Sequence, residues 1–225
     1  MKRLKTVPFM LVIALLYGAG VTGLHLSTVK TVEQNTRFLE EKTLVELFKL
    51  GDVHTLAKDK ISQIVATQID RSETITDPQT GKKIELLKAY DNPDRKNLVA
   101  YGIPFSGIGF WAEIKGYIAM DSQLKKTVGM KVMSQTETPG LGGRIEEPFF
   151  MQPFIDGLDI TPPAENKNYL YMGSQGGKPK EGTAQYGRTF DAITGATQTT
   201  LAMERMLNSA VASFNRALAV RKVGE

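Results

Sequence analysis

The chain has 225 residues, 41% of them apolar and 23% charged, enough to bury one well-formed core and carry an appendage. Its formal charge of +4 comes mostly from Lys2, Arg3 and Lys5, which leave residues 6 to 225 at +1, so a nucleic-acid partner has no electrostatic footprint on the folded part. The absence of cysteine excludes disulfides, thiolate nucleophiles, Cys-bound zinc and Cys-ligated iron–sulfur clusters, and with histidine only at His25 and His54 no metal site is expected.

In chain order, the first element is an uncharged run of 24 residues from Thr6 to Val29, containing VPFMLVIALLYGAGVTGLHL. At ~1.5 Å per residue this matches one crossing of a ~30 Å hydrocarbon core. A cleaved signal peptide also has a basic start, an apolar run and small residues such as Gly18, Ala19 and Gly20. Retention is favoured because apolar residues continue to Leu24 and Leu26. The basic start keeps the N-terminus cytoplasmic and sends everything after residue 30 outward, periplasmic or otherwise extracytoplasmic, with lipid as a partner. His25 is the only residue among Asp, Glu, Lys, Arg and His in the span, so an ion pathway through this segment is not expected.

Residues 29 to 50 are rich in helix formers and predict a helix ending at Gly51 as the C′ residue. Ile61, Ile64, Val65 and Ile69 share one face at 3.6 periodicity and predict a second helix. SETITDPQTGKKIELL reads as a β-hairpin around Asp77-Pro78-Gln79-Thr80-Gly81. Strands are expected at Asn97 to Phe105, Ile114 to Met120 and Val128 to Gln135, with a Gly-rich loop at Ser106 to Gly109 and a turn near Asp121. A Pro-interrupted segment runs from Glu147 to Pro163, and a short strand is expected at Asn168 to Met172. Met203, Met206, Leu207, Ala210, Phe214 and Leu218 recur at spacings of three and four and predict a C-terminal amphipathic helix. The fold class is α+β: a single N-terminal transmembrane helix, then a domain with a mostly antiparallel sheet and that closing helix. The expected boundaries are 1–29 for the anchor, 30–70 for a helical juxtamembrane region and 71–225 for the main domain.

Just before the last helix stands Asp191-Ala-Ile-Thr194-Gly195-Ala196-Thr197-Gln-Thr199. A tight Gly-containing turn bearing hydroxyls at a helix N-terminus suits a phosphate, because free backbone N–H groups and the helix dipole favour an anion there. The same residues also read as an ordinary helix start capped by Thr194 or Thr197. Earlier, Glu137-Thr138-Pro139-Gly140-Leu141-Gly142-Gly143 offers backbone able to approach a flat ring, an apolar face at Leu141 and hydrogen-bonding groups at Glu137 and Thr138. By itself it would also serve as a strand-exit turn.

The two motifs together resemble a family of FMN-binding subunits in ion-pumping respiratory complexes, those of the sodium-translocating NADH:quinone oxidoreductase and of the Rnf ferredoxin:NAD oxidoreductase. Residues 191 to 197 satisfy every position of that family's flavinylation motif, D-x-x-(S/T)-G-A-(T/S), and residues 137 to 142 look like its E-T-P-G-L-G loop. The resemblance implies FMN joined by a phosphoester to Thr197, with Asp191, Thr194, Gly195 and Ala196 around the attachment. Glu137, Thr138, Gly140, Leu141 and Gly142 would then lie beside the ring. Gly107-Ile-Gly109-Phe-Trp111, followed by Ile114 to Asp121, is similar to the pattern of the sodium-pump members, which implies a stacking role for Trp111 and favours the sodium-pump type over the Rnf type. Residues 71–225 become the FMN-binding domain, one redox centre with no catalytic acid, base or nucleophile of its own.

The implied role is that of a redox subunit in a translocase. Its partners are other subunits of a membrane respiratory complex, with a flavin transferase for maturation. Departures from the family pattern are T-G-A-T-Q-T-T in place of S-G-A-T-x-T-S, and residues 164 to 182, which match poorly and leave Lys178 and Lys180 both open as phosphate contacts. The competing functions are a stand-alone membrane-anchored extracytoplasmic flavoprotein and a flavin-free scaffold or binding module.

Overall fold

The computed structural model describes residues 3–164, 167–174, 177, 179–183 and 185–224. It divides into two compact units, 1–41 and 42–225. The first unit consists of helix α1 (Arg3–Leu47) up to Glu41; its residues 6–28 are exposed, and the helix from Thr6 is long and apolar enough to cross a membrane by length and composition. The membrane segment and the helix expected after it are thus one element, because no Gly or Pro interrupts residues 24 to 47.

The end of α1 differs from the expectation at Gly51. Lys49 adopts the left-handed conformation, with φ of 55°. Its N–H bonds Glu46 O at 3.2 Å while Leu50 N–H reaches back to Val45 O at 3.0 Å. This pair of bonds is the Schellman arrangement, with Lys49 rather than a glycine as C′.

The second unit is built on a five-stranded antiparallel meander in the order β1-β2-β3-β4-β5: Ile69–Thr76, Lys83–Tyr90, Leu98–Ile108, Glu113–Asp121 and Thr127–Ser134. Both faces are covered, which explains why β4 buries five consecutive residues rather than alternating. Even-numbered residues of β4 (Ile114, Ile118, Met120) join the larger core with Ile103, Phe105 and Met130. Odd-numbered Tyr117 and Ala119 face the smaller cluster formed by Leu44, Leu47, Phe48, Leu87 and Ala89.

Helix α2 (Lys58–Gln68) is shorter than its apolar face suggested, since Ile69 already begins β1. The guanidinium of Arg95 ends the helix, donating to the carbonyls of Thr67 at 2.7 Å and Ala66 at 2.9 Å. Strand β3 also runs through the segment expected to be a Gly-rich loop. Ser106, Gly107 and Ile108 pair with Lys115, Ile114 and Glu113, and a tight turn closes where Gly109 N–H meets Ala112 O at 2.8 Å.

The larger core is completed by two helices. α3 (Pro148–Asp156) was not foreseen, because its prolines read as breakers; Pro148 instead occupies the first helical turn, where no N–H is needed. It buries Phe150 and Phe154 against Phe190, at ring-centroid distances of 5.6 and 5.3 Å. Phe190 lies on β7 (Thr189–Asp191), which pairs in parallel with β6 (Tyr171–Gly173), a strand slightly later than expected. α4 (Thr197–Gly224) lays Met203, Met206, Leu207, Ala210 and Phe214 on the sheet, as its periodicity predicted. Its polar side chains hold the 169–172 backbone: Asn208 accepts from Tyr169 and Leu170 N–H, and Glu204 from Met172 N–H.

Candidate functional site

The N-terminus of α4 is set by the turn before it. Gly195 has φ of 81° and Ala196 N–H bonds Ile193 O at 3.0 Å, a reversal that a side chain at 195 would strain. The hydroxyl of Thr200 accepts from Ile193 N–H at 3.2 Å and donates to Ala196 O at 3.0 Å, so a residue of the helix clamps the turn that precedes it. Thr197 is the first helical residue, with its side chain exposed.

The second turn lies between β5 and the 3-10 turn at Gly142–Glu146. Thr138 O receives the N–H of Leu141 at 3.1 Å and of Gly143 at 3.0 Å, and Gly140 at the corner has φ of 75°. Pro139 followed by a left-handed Gly140 is the pattern of a type II turn. The third component is the β3–β4 tip, where Phe110 and Trp111 stand edge to face, 4.9 Å apart at 81°. The indole Nε1 of Trp111 donates to the hydroxyl of Thr138 at 3.0 Å.

These three turns enclose a cavity of about 420 Å³ lined by Phe110, Trp111, Glu137, Thr138, Leu141, Gly142 and the first turn of α4 with its approach, Gly195 to Thr199. That size falls within the range of small-ligand and cofactor sites. Of the residues singled out from sequence, Trp111, Glu137, Thr138, Leu141, Gly142, Gly195, Ala196 and Thr197 therefore share one wall, although they span 86 positions of the chain. Gly140 lies at the turn corner, Thr194 in the exposed turn and Asp191 at the end of β7, all outside the lining. Lys180 is exposed in a turn closed by Thr183 and does not line the cavity, and Lys178, Gln175 and Gly176 lie outside the described residues.

Both carboxylate oxygens of Glu137 are bonded within the protein. Oε1 accepts from Phe110 N–H at 2.9 Å and Trp111 N–H at 3.0 Å, and Oε2 accepts from the Thr199 hydroxyl at 2.6 Å. Phe110, Gln198 and Thr199 stood within the motifs read from the sequence but were not singled out as site residues. The first stood beside a singled-out tryptophan and the last two beside a singled-out threonine, so adjacency was the available signal. Among the described residues, no group of three or more His, Cys, Asp or Glu side chains is arranged to hold a metal ion.

The cavity tests well against a flavin mononucleotide. It offers exposed aromatic and aliphatic faces at Trp111 and Leu141 for a flat ring, and first-turn backbone N–H groups with the exposed Thr197 hydroxyl for a phosphate. Residues 109–212 match the family described as an FMN-binding domain. The chain is similar to the C subunit of Na(+)-translocating NADH-quinone reductase and to the G subunit of ion-translocating oxidoreductase complexes.

It is 35% identical to the former from Pasteurella multocida over 43% of this chain and 34% of that protein. It is 28% identical to the latter from Methanosarcina acetivorans, over 60% of this chain and 65% of that one. The chain thus spans about a third of the length of the curated relatives that it matches first. The crystal structure of the Na(+)-translocating NADH-quinone reductase C subunit from Parabacteroides distasonis shares the fold, with a TM-score of 0.65 at 19% identity over 84% of this chain and 96% of that one.

Proposed function

We propose that this chain is a membrane-anchored electron-transfer subunit with one FMN, esterified through its phosphate to Oγ1 of Thr197. The observation that carries the reading is the convergence of the Glu137–Gly142 loop, the Phe110–Trp111 tip and the first turn of α4 on one cavity. Thr197 sits where an anion is best received, at the first residue of a helix whose leading N–H groups lack intrahelical acceptors. The bound flavin supplies a centre that takes up and gives up electrons. Trp111 and Leu141 flank the ring, Thr138 orients the indole, and the ester keeps the cofactor from leaving.

The sodium-translocating NADH:quinone type is favoured over the Rnf type by the Gly107 to Trp111 pattern and by the names of the first relatives matched. In this reading α1 crosses the membrane with its basic start inside, and the domain from residue 71 faces outward, beside the other subunits that deliver and remove electrons. A flavin transferase forms the ester. The test is to co-express the full chain with a flavin transferase, denature it and weigh it. The parent and Thr194→Ala are expected to carry the FMN mass and Thr197→Ala to lack it. An unmodified parent mass leaves a flavin-free module as the better reading, and equal retention in both variants moves the ester away from Thr197.

A further inference from the structure

Glu137 joins two parts of the cavity wall that are far apart in sequence. It is 5% exposed, yet it bonds the backbone of the β3–β4 tip through Oε1 and the side chain of Thr199, two residues beyond Thr197, through Oε2. The surrounding backbone is cut to fit this carboxylate. A Cβ on Gly109 would stand 2.5 Å from Oε1, and one on Gly142 would stand 2.7 Å from Oε2 and 2.6 Å from Thr199 Oγ1. The tip itself has little packing to hold it, since Phe110 and Trp111 are 56% and 66% exposed. Its position must therefore come from polar bonds, and a carboxylate accepting three of them in a buried site holds its donors strongly.

We infer that Glu137 and Thr199 form a positioning tie, which sets the Trp111 indole at a fixed offset from Thr197 before any cofactor arrives. Glu137 acts on Trp111 through its backbone N–H, and Thr138, the next residue, repeats the hold at the indole nitrogen. Thr199 supplies the register with α4. The consequence for loading rests on the flavin reading above: a preorganised aromatic wall and attachment point lower the ordering cost of receiving the ring.

The flavin-free full chain in detergent tests the tie by itself, through hydrogen–deuterium exchange of the amides of Phe110 and Trp111. Thr199→Val keeps the side chain's shape and removes its hydroxyl, Thr199→Ser restores the hydroxyl, and Glu137→Ala removes the bridge. Thr199→Val is expected to speed exchange at the tip by about tenfold, with Thr199→Ser near the parent and the sheet-centre amides of Ile103 and Ile118 unchanged. Unchanged exchange at the tip in Thr199→Val overturns the inference. Equal acceleration at Ile103 and Ile118 also overturns it, by showing general loosening. Should Glu137→Ala fail to fold, the valine and serine pair decides.

In a second arm, co-expression with a flavin transferase is expected to load Thr199→Val several-fold less than Thr199→Ser. Equal loading of the two removes the tie's part in receiving the cofactor. If even the parent stays unloaded while the exchange result holds, the flavin reading fails and the tie stands.

Discussion

Arg216 in the far half of α4 closes two hydrogen bonds on the carboxylate of Asp77, Nε to Oδ1 at 2.9 Å and Nη2 to Oδ2 at 2.6 Å, across 139 positions of sequence. The same carboxylate accepts the Thr80 hydroxyl at 2.7 Å and Gln79 N–H at 3.1 Å, so the turn of the β1–β2 hairpin is pinned to the helix that begins at the cavity.

That geometry makes the domain acid-sensitive. The bonds from Arg216 hold the Asp77 carboxyl well below its ordinary value of 3.8, against burial, which pushes it upward; Thr80 and Gln79 lower it further. A depressed native value means that the pair contributes its full stability above the unfolded value. As pH falls below 3.8 the unfolded chain takes up a proton that the native carboxylate refuses, and this contribution is lost. The melting temperature of the parent is expected to fall more steeply between pH 5 and 3 than that of Asp77→Asn, and the variant should melt several degrees lower at pH 7. Parallel pH profiles would remove the pair from the acid response.

The aromatic contacts of α3 give a second test. Phe154 is fully buried and packs on Phe190 of β7, the strand that delivers the turn before Thr197. Phe154→Ala is expected to cost about 3–5 kcal/mol of unfolding free energy, by lost burial plus a cavity that the sheet and α4 cannot close. Urea denaturation measures it, and a cost below about 1 kcal/mol would show that the site collapses freely.

The elements easiest to read from sequence were those with one dominant period. The 3.6-residue recurrence from Met203 to Leu218 gave α4, and Asp77-Pro78-Gln79-Thr80-Gly81 marked the first hairpin turn. α3 was hidden because Pro148 and Pro153 carry opposite meanings at a helix start and in its interior, and only the packed structure says which applies. The parallel pair β6–β7 was hidden for another reason. Three-residue strands have no period to detect, and the backbone at Tyr169, Leu170 and Met172 is held by Asn208 and Glu204, 32 to 39 positions later in the chain.

The cavity was partly legible, since two of its turns carry residue types that only special backbone needs explain. What adjacency in sequence could not supply was the use of Glu137. Its partners, Phe110, Trp111 and Thr199, lie 26 to 62 positions away.

Trp111 is mostly exposed, and its one side-chain bond goes to Thr138, which water also reaches. Trp111→Phe should therefore move the melting temperature by less than about 3 °C. In the flavin-loaded chain the proposed stacking of Trp111, the chain's sole indole, on the ring predicts that the same change raises flavin fluorescence severalfold. Fluorescence equal to that of the parent at equal loading would take Trp111 away from the ring.

Glu137→Gln separates charge from position. The amide oxygen can still accept from Phe110 and Trp111 N–H, and its nitrogen can donate to Thr199 Oγ1, so the three bonds have replacements while the negative charge disappears. A fixed negative charge in a cavity wall disfavours adding an electron to a group in that cavity, the more so because the Glu137 side chain itself is buried. The midpoint potential of the loaded chain should thus rise in Glu137→Gln by an amount on the order of tens of millivolts, with tip exchange rates kept near the parent's. Spectroelectrochemical titration of the flavin-loaded full chain reads this directly. A potential that falls, or stays within error of the parent while the tip keeps its protection, would mean that the carboxylate charge does not act on the cofactor and that Glu137 serves position alone.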